Sequence, residues 1–229
     1  IPHSGGSNTC IDMNERFGVT AKDKVLSLAA LSFDLSVYDI FGVMATGGTL
    51  VMPDHRLKGD PAHWLDLLEK HQVTIWNTAP PVMTMMLDFV GSSNEVRERF
   101  RCLPLRLVLL SGDFIPLTMA STLKELLSTE GLSIISLGGA TEASIWSCWY
   151  PIGDICSEWT SIPYGSALGN QKMFVLDTET LEPVPDLVSG EICIGGDGLA
   201  CGYWGDVEKT KKAFVQCEAL GGELIYRTG

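Results

Sequence analysis

At 229 residues, with 45% hydrophobic and 19% charged residues, the chain has ordinary globular composition and enough length for one large domain or two small ones. Its formal net charge of -12 and the absence of any Lys or Arg run exclude nucleic acid and anionic membranes as expected partners, because like charges repel. No signal peptide and no apolar run long enough to span a bilayer occur, so a cytoplasmic location is expected.

The first elements alternate. Residues 24–31 form an apolar run suited to a buried strand. Ser32-Phe33-Asp34 leads into a helix over 35–44, where Val37, Ile40, Phe41 and Met44 recur at helical spacing. Gly47-Gly48 ends it, and residues 49–52 read as the next strand, closed by Pro53. Asp60-Pro61 marks a helix start, with an acidic cap and Pro at the first helical position. Trp64, Leu67, Leu68 and His71 then share one face, which makes His71 a boundary residue rather than a catalyst. Residues 73–76 read as a strand. Asn77-Thr78-Ala79-Pro80-Pro81 turns the chain into a helix over 82–89, whose Met83, Met85 and Met86 suit packing. Residues 91–101 are polar and expected to be exposed. A strand over 105–110 runs into Ser111-Gly112-Asp113, followed by a helix over 117–127 and a strand over 132–136.

This alternation predicts an α/β fold with a mostly parallel sheet flanked by helices. Ligands of such sheets bind at the carboxyl ends of the strands. The loops beginning at Ser32, Asn77, Ser111 and Gly138 are therefore expected to share one crevice. Beyond Pro151 short strands over 172–177, 191–194 and 223–226, with a helix over 206–214, predict a smaller β-rich lobe. The expected organisation is an α/β lobe over 1–152 and a β-rich lobe over 153–229.

Seven scattered cysteines (Cys10, Cys102, Cys148, Cys156, Cys193, Cys201, Cys217) contain no Cys-x-x-Cys pair and do not cluster with the four histidines. Reduced thiols are expected, rather than a zinc site or a disulfide framework. Two stretches carry chemistry. In Ser136-Leu137-Gly138-Gly139-Ala140-Thr141-Glu142-Ala143-Ser144-Ile145, two glycines let the backbone pass close to a ligand. Thr141 and Glu142 then offer a hydroxyl and a carboxylate, a pairing suited to phosphate oxygens and a hard cation. The same residues also fit an ordinary loop, with Gly-Gly as a turn and Thr-Glu as a helix cap. Asp34 is a carboxylate in an apolar stretch, which needs a cation or several donors. Its position before Leu35 also suits a helix N-cap.

Taken together these stretches resemble the adenylation domains of non-ribosomal peptide synthetases, which belong with the acyl-CoA synthetases and luciferases among AMP-forming enzymes. Ser32-Phe33-Asp34-Leu35-Ser36-Val37-Tyr38-Asp39-Ile40-Phe41 is similar to the family's substrate-helix motif. Gly138-Gly139-Ala140-Thr141-Glu142 matches its Tyr-Gly-Pro-Thr-Glu signature in position and in its last two residues. Gly190-Glu191-Ile192-Cys193-Ile194-Gly195-Gly196, Gly198-Leu199-Ala200 with Gly202-Tyr203-Trp204, and Tyr226-Arg227-Thr228-Gly229 follow in the family order. One such motif is a weak signal; several in order are a strong one.

The resemblance implies a fragment of the large N-terminal subdomain of an adenylate-forming ligase. That enzyme joins an amino acid to AMP using ATP and Mg²⁺, then loads it onto the phosphopantetheine thiol of a carrier domain, with condensation domains as further partners in secondary-metabolite assembly. By resemblance Thr141 and Glu142 are the catalytic pair, Thr141 bonding phosphate and Glu142 holding the metal. Gly138, Gly139 and Tyr226 are expected against the adenine, and Asp34 pairs with the substrate α-ammonium. The amino-acid pocket is lined by Asp34, Leu35, Tyr38, Asn77, Leu109, Ser111, Leu137 and Ile145. It is small and aliphatic, with no charge besides Asp34, and is similar to the pattern associated with cysteine activation. An apolar pocket separates near-isosteres by only about 1–3 kcal/mol, so serine, alanine and 2-aminobutyrate are expected as weak substrates.

Gly138 stands where the family has Tyr, removing a stacking surface for adenine, and Ala140 replaces Pro, which loosens the loop. The family's phosphate loop belongs before Ile1. Its ribose-binding Asp and its mobile C-terminal subdomain belong after Gly229, so the isolated stretch is expected to be inactive or nearly so. Two alternatives stand beside this reading. An acyl-CoA or aryl-acid ligase of the same superfamily binds no ammonium and would not require Asp34; a non-catalytic binding fragment would retain only the fold.

Overall fold

The structure, a computed structural model, describes residues 1–229. It opens with helix α1 (His3–Arg16), which the sequence reading did not anticipate. Its first turns, Ser4-Gly5-Gly6-Ser7-Asn8-Thr9, are weak helix formers, so local propensity hides it. Packing divides the chain into two compact units interleaved in sequence: residues 13–137 with 150–164, and residues 1–12 with 138–149 and 165–229. Composition along the chain instead predicts one boundary at 152/153. A change of composition is visible only along the chain, whereas these units are joined by distant pairs.

The first unit contains β1 (Lys24–Leu26), α2 (Leu35–Val37), a π turn (Tyr38–Gly42), α3 (Val43–Ala45), β2 (Thr49–Val51), α4 (Pro61–His71), β3 (Ile75–Thr78), α5 (Pro80–Val90), α6 (Asn94–Arg101), β4 (Leu107–Ser111), α7 (Met119–Leu126) and β5 (Ser133–Gly138), whose last residue opens the second unit. The five strands are parallel, in the order β2-β1-β3-β4-β5. The expected α/β class with a parallel sheet is borne out. In this order the connections reverse direction between β1 and β3, and the carboxyl ends of those strands are where such sheets take ligands.

Strand register decides what each face does. Trp76, Val108, Leu110 and Ile134 join one core with Trp64, Leu68, Met83, Phe100 and Leu123 from the helices. Each such side chain contributes about 1.5–3 kcal/mol on burial. Because side chains alternate along a strand, Asn77, Leu109, Ser111 and Leu137 point to the other face. Asn77 lies beside Leu109, and Ser111 beside Leu137.

Several elements differ from expectation. Asn77 and Thr78 belong to β3 rather than to the following turn, and α5 begins at Pro80. Residues 94–101, expected as exposed polar chain, form α6: Ser93 caps it by accepting from the Val96 N–H at 3.2 Å, and Phe100 is buried. The stretch 35–45 is helical as expected, but with the opposite face inward. Phe41 and Met44 are 66% and 56% exposed, while Leu35, Tyr38, Asp39 and Val43 are buried. The π turn accommodates an extra residue per turn and shifts the faces from those an α-helical count predicts. Asp60 does cap α4, accepting from the Ala62 N–H at 3.0 Å.

The second unit contains the start of β6 (Cys148–Pro151), whose last two residues belong to the first unit, and β7 (Ser166–Ala167), which pairs antiparallel with Cys148 and Trp149, then β8 (Gln171–Leu176), β9 (Glu191–Gly196), α8 (Val207–Ala213), β10 (Phe214–Cys217) and β11 (Glu223–Arg227). The last four strands form an antiparallel sheet in the order β10-β11-β9-β8. The start of α1 is fastened into this unit by Thr9 Oγ1 donating to Ser144 O at 2.8 Å and Asn8 Nδ2 donating to Gly169 O at 2.8 Å. No helix is long and apolar enough to cross a membrane.

Candidate functional site

Seven of the eight expected pocket residues lie in the first unit, and Ile145 lies in the second. Asn77, Leu109, Ser111 and Leu137 are all buried on one sheet face near the carboxyl ends of β3, β4 and β5. The helical stretch from Leu35 covers that face. Asn77 Nδ2 donates to Asp39 Oδ1 at 2.8 Å and, at a longer 3.5 Å, to Leu35 O. Leu35 and Tyr38 are buried, and Tyr38 Oη donates to Asn14 Oδ1 at 3.1 Å.

Asp34 is half-buried at the head of this stretch. It has helical backbone angles (φ -65, ψ -20), and its carboxylate makes no capping bond to the helix. The capping reading requires an extended residue whose side chain accepts an early helix N–H. Neither condition holds, so capping does not account for this carboxylate.

Asp39 lies within the substrate-helix motif, and the sequence alone assigns it no role. It is fully buried. Burial pushes its carboxyl up to about 7, against hydrogen bonds from Asn77 and Ser27 that pull it down. Its sequence signal is the same as that of Asp34, a carboxylate in an apolar stretch that needs partners, and its burial makes that need greater.

Tyr38 also explains a glycine. A Cβ on Gly42 would lie 2.4 Å from Tyr38 Cδ2, and the ring has no room to retreat because it is fully buried. Asn14 locks the arrangement by donating to Gly42 O at 2.8 Å. Gly42→Ala is expected to displace the ring and to cost about 1–3 kcal/mol, the usual scale of overpacking. A urea-unfolding midpoint equal to wild type would show that Tyr38 is not held this way.

In the second unit, Gly138 ends β5 and Thr141–Ala143 forms a short 3₁₀ turn. Gly139 was expected to admit a ligand. The space its missing Cβ leaves is taken by the chain itself: a Cβ there would sit 2.7 Å from Ser147 N and 2.8 Å from Trp146 Cα. Ser144 and Ile145 both have positive φ, 63° and 73°. Such a conformation is strained for a β-branched residue. Ser144 Oγ donates to Gly198 O at 2.6 Å, and the Ser144 N–H to Thr141 O at 3.1 Å, which hold the turn closed.

Thr141 is exposed, and Glu142 is half-buried. The Glu142 carbonyl accepts the Ala200 N–H at 2.7 Å, and its carboxylate accepts Tyr203 Oη at 2.6 Å. Tyr203, to which the sequence alone assigns no role, thus fixes the carboxylate expected to hold a metal. Burial raises the Tyr203 phenol well above its usual range, helped by Glu142 and Tyr226. The Tyr226 phenol is likewise raised, first by burial. Phe214 packs against both rings, at centroid distances of 5.9 Å and 5.2 Å, and Lys209 Nζ sits 4.0 Å over the Tyr203 ring.

No group of three or more His, Cys, Asp or Glu side chains could hold a metal ion. A cation at Glu142 would therefore have fewer than three such protein ligands. That fits Mg²⁺, which keeps several waters and binds through one or two carboxylates plus substrate phosphates, and it does not fit a cation needing an all-protein cage.

Residues 1–204 match the family described as AMP-binding enzyme. Bacitracin synthase 1 of Bacillus licheniformis is 44% identical over 229 residues, which is 100% of this chain and 4% of that protein. Pyochelin synthetase PchF of Pseudomonas aeruginosa is 46% identical over 230 residues, 100% of this chain and 12% of that protein. Among solved structures, the non-ribosomal peptide synthetase FmoA3 superposes with a TM-score of 0.92 at 36% identity, covering 100% of this chain and 24% of that one. Other crystals of FmoA3 hold AMPPNP or α-methyl-L-serine-AMP. The chain thus spans a small share of the length of each of these relatives.

Proposed function

We propose, from the premise that this chain belongs to the AMP-binding enzyme family, that it is the recognition part of a non-ribosomal peptide synthetase adenylation domain which activates L-cysteine as cysteinyl-AMP. The observation that carries the reading is the shared placement of Asn77, Leu109, Ser111 and Leu137 on one sheet face at the carboxyl ends, covered by the stretch that begins at Asp34 and Leu35. Aliphatic walls with a buried amide and hydroxyl suit a small side chain with one weak polar group. The aminoacyl adenylate held by FmoA3 also has a small side chain.

In this reading Asp34 pairs with the α-ammonium, which orients the substrate carboxylate for attack on the α-phosphorus of ATP; pyrophosphate leaves. Orientation of this kind supplies much of the rate in phosphate chemistry. Leu35, Tyr38, Leu109 and Leu137 exclude water around the side chain, and Asn77 and Ser111 provide its polar contacts. Thr141 donates to phosphate oxygen, and Gly138, Gly139 and Tyr226 border the adenine. Glu142, oriented by Tyr203, would hold Mg²⁺. The metal supplies neutralisation of phosphate charge. The acyl group then passes to the phosphopantetheine thiol of a carrier domain.

The test is ATP–pyrophosphate exchange by the full-length protein with each of the twenty amino acids. Cysteine is expected to give the highest kcat/KM, with serine and alanine well below it. A preference for valine or an aromatic amino acid overturns the pocket reading.

A further inference from the structure

We infer that Asp39 is a positioning residue for the substrate side chain: it fixes the amide of Asn77 so that Asn77 Oδ1 accepts a hydrogen bond from a donor at the γ position of the amino acid. This rests on the pocket reading above and adds to it the means by which a thiol or hydroxyl is told from a methyl group.

A side-chain amide has two orientations open to it, related by a half-turn. On one side of Asn77 lie two acceptors, Asp39 Oδ1 at 2.8 Å and Leu35 O at 3.5 Å. Only the NH₂ end satisfies both, and the rotated amide would set its oxygen against two others. Asp39 therefore decides which way the amide faces. Asn77 is fully buried, and with Nδ2 committed to Asp39 its Oδ1 finds no donor within the protein. A buried acceptor left without a donor is unusual and destabilising, so such groups are commonly satisfied by a ligand or an ordered water.

The neighbourhood narrows the ligand. Asn77 shares its sheet face with Leu109, Ser111 and Leu137, and Leu109 and Leu137 are apolar. The α-ammonium is assigned to Asp34, which leaves a side-chain S–H or O–H as the donor for Asn77. Asp39 commits its Oδ1 to Asn77 Nδ2, and through that bond it acts on the substrate side chain. Apolar walls alone distinguish cysteine poorly from its near-isostere 2-aminobutyrate; an acceptor that loses its donor distinguishes them better.

The experiment compares kcat/KM for cysteine and 2-aminobutyrate in ATP–pyrophosphate exchange by the full-length protein. In Asp39→Leu, which removes the acceptor while keeping similar volume, the cysteine preference is expected to fall by about tenfold, with the KM for ATP unchanged. Asp39→Asn can still offer an oxygen to Asn77 Nδ2 and is expected to retain the preference within about twofold. Asn77→Leu is expected to lose as much as Asp39→Leu, and the double variant no more than either, because one acts through the other. A purely structural role would lower turnover of both substrates together and leave their ratio alone.

A wild-type preference that survives in folded Asp39→Leu overturns the inference and leaves the substrate reading standing. If Asp39→Leu does not fold, Asp39→Asn decides: loss of the preference in that folded variant overturns the inference, and retention supports it. Wild-type protein with no preference for cysteine over 2-aminobutyrate overturns the substrate reading, and the inference with it.

Discussion

Asp34→Ala in the full-length protein is expected to lower amino-acid-dependent ATP–pyrophosphate exchange by roughly 10²–10³-fold, the scale of losing one partner of a partly buried charge pair, about 3–4 kcal/mol. The loss should fall on kcat/KM for the amino acid, with ATP binding intact. The fold should survive, because the carboxylate makes no capping bond to the helix and the residue is half-buried. Had Asp34 served as an N-cap, its loss would instead cost stability, about 0.5–2 kcal/mol, and leave exchange untouched. The two readings thus predict opposite outcomes in two measurements, exchange kinetics and urea unfolding. Undiminished exchange removes the ammonium role. Asp34→Asn, which keeps the shape and drops the charge, should resemble the alanine variant if charge is what matters.

The α/β class was legible because its signals are local. Asp60-Pro61 announces a helix by its own chemistry, and the strand-helix alternation follows from runs of apolar residues. What remained hidden depends on neighbours distant in sequence. The start of α1 is held by Thr9 and Asn8 bonding to Ser144 and Gly169, more than a hundred residues away. The inward face of residues 35–45 follows from a π turn, which no α-helical count of Val37, Ile40, Phe41 and Met44 can reveal. The site was legible in its parts: Asn77, Leu109, Ser111 and Leu137 were named by resemblance, and the parallel register gives the reason that they share a face. Asp39 and Tyr203 were missed in the same way. Each stands inside a quoted motif but acts on another residue, Asn77 or Glu142, that only the fold brings near.

The largest expected loss of stability lies away from these residues, at Asp23. It is buried, and its carboxylate accepts from the Thr20 N–H at 2.9 Å, Thr74 Oγ1 at 2.8 Å, and Arg106 Nε and Nη2 at 2.7 Å and 2.8 Å. Asp23, Thr74 and Arg106 stand just before β1, β3 and β4, so one carboxylate ties together the amino ends of three adjacent strands. Arg106 also donates to Phe17 O and Gly18 O after α1. Asp23→Ala would leave Arg106 Nε without its acceptor, remove the charge that balances the guanidinium, and leave the Thr74 hydroxyl only a longer 3.4 Å bond to Lys24 O, and a cost of about 3–5 kcal/mol is expected. Burial alone would raise the Asp23 carboxyl, but the bonds from Arg106, Thr20 and Thr74 and the Arg106 charge outweigh it and hold the group below its usual range. A carboxyl depressed in the folded state stabilises above its unfolded pKa, and that contribution is lost as pH falls through the folded value. The gap in urea midpoint between wild type and Asp23→Ala should therefore be wide at neutral pH and should narrow on acidification below about 4. A gap below about 1 kcal/mol at neutral pH, or one that does not narrow in acid, would show that this clamp does not hold the strands. Because the clamp sits at the amino ends of strands whose carboxyl ends carry Asn77, Ser111 and Leu137, folded Asp23→Ala should keep the wild-type KM for the amino acid.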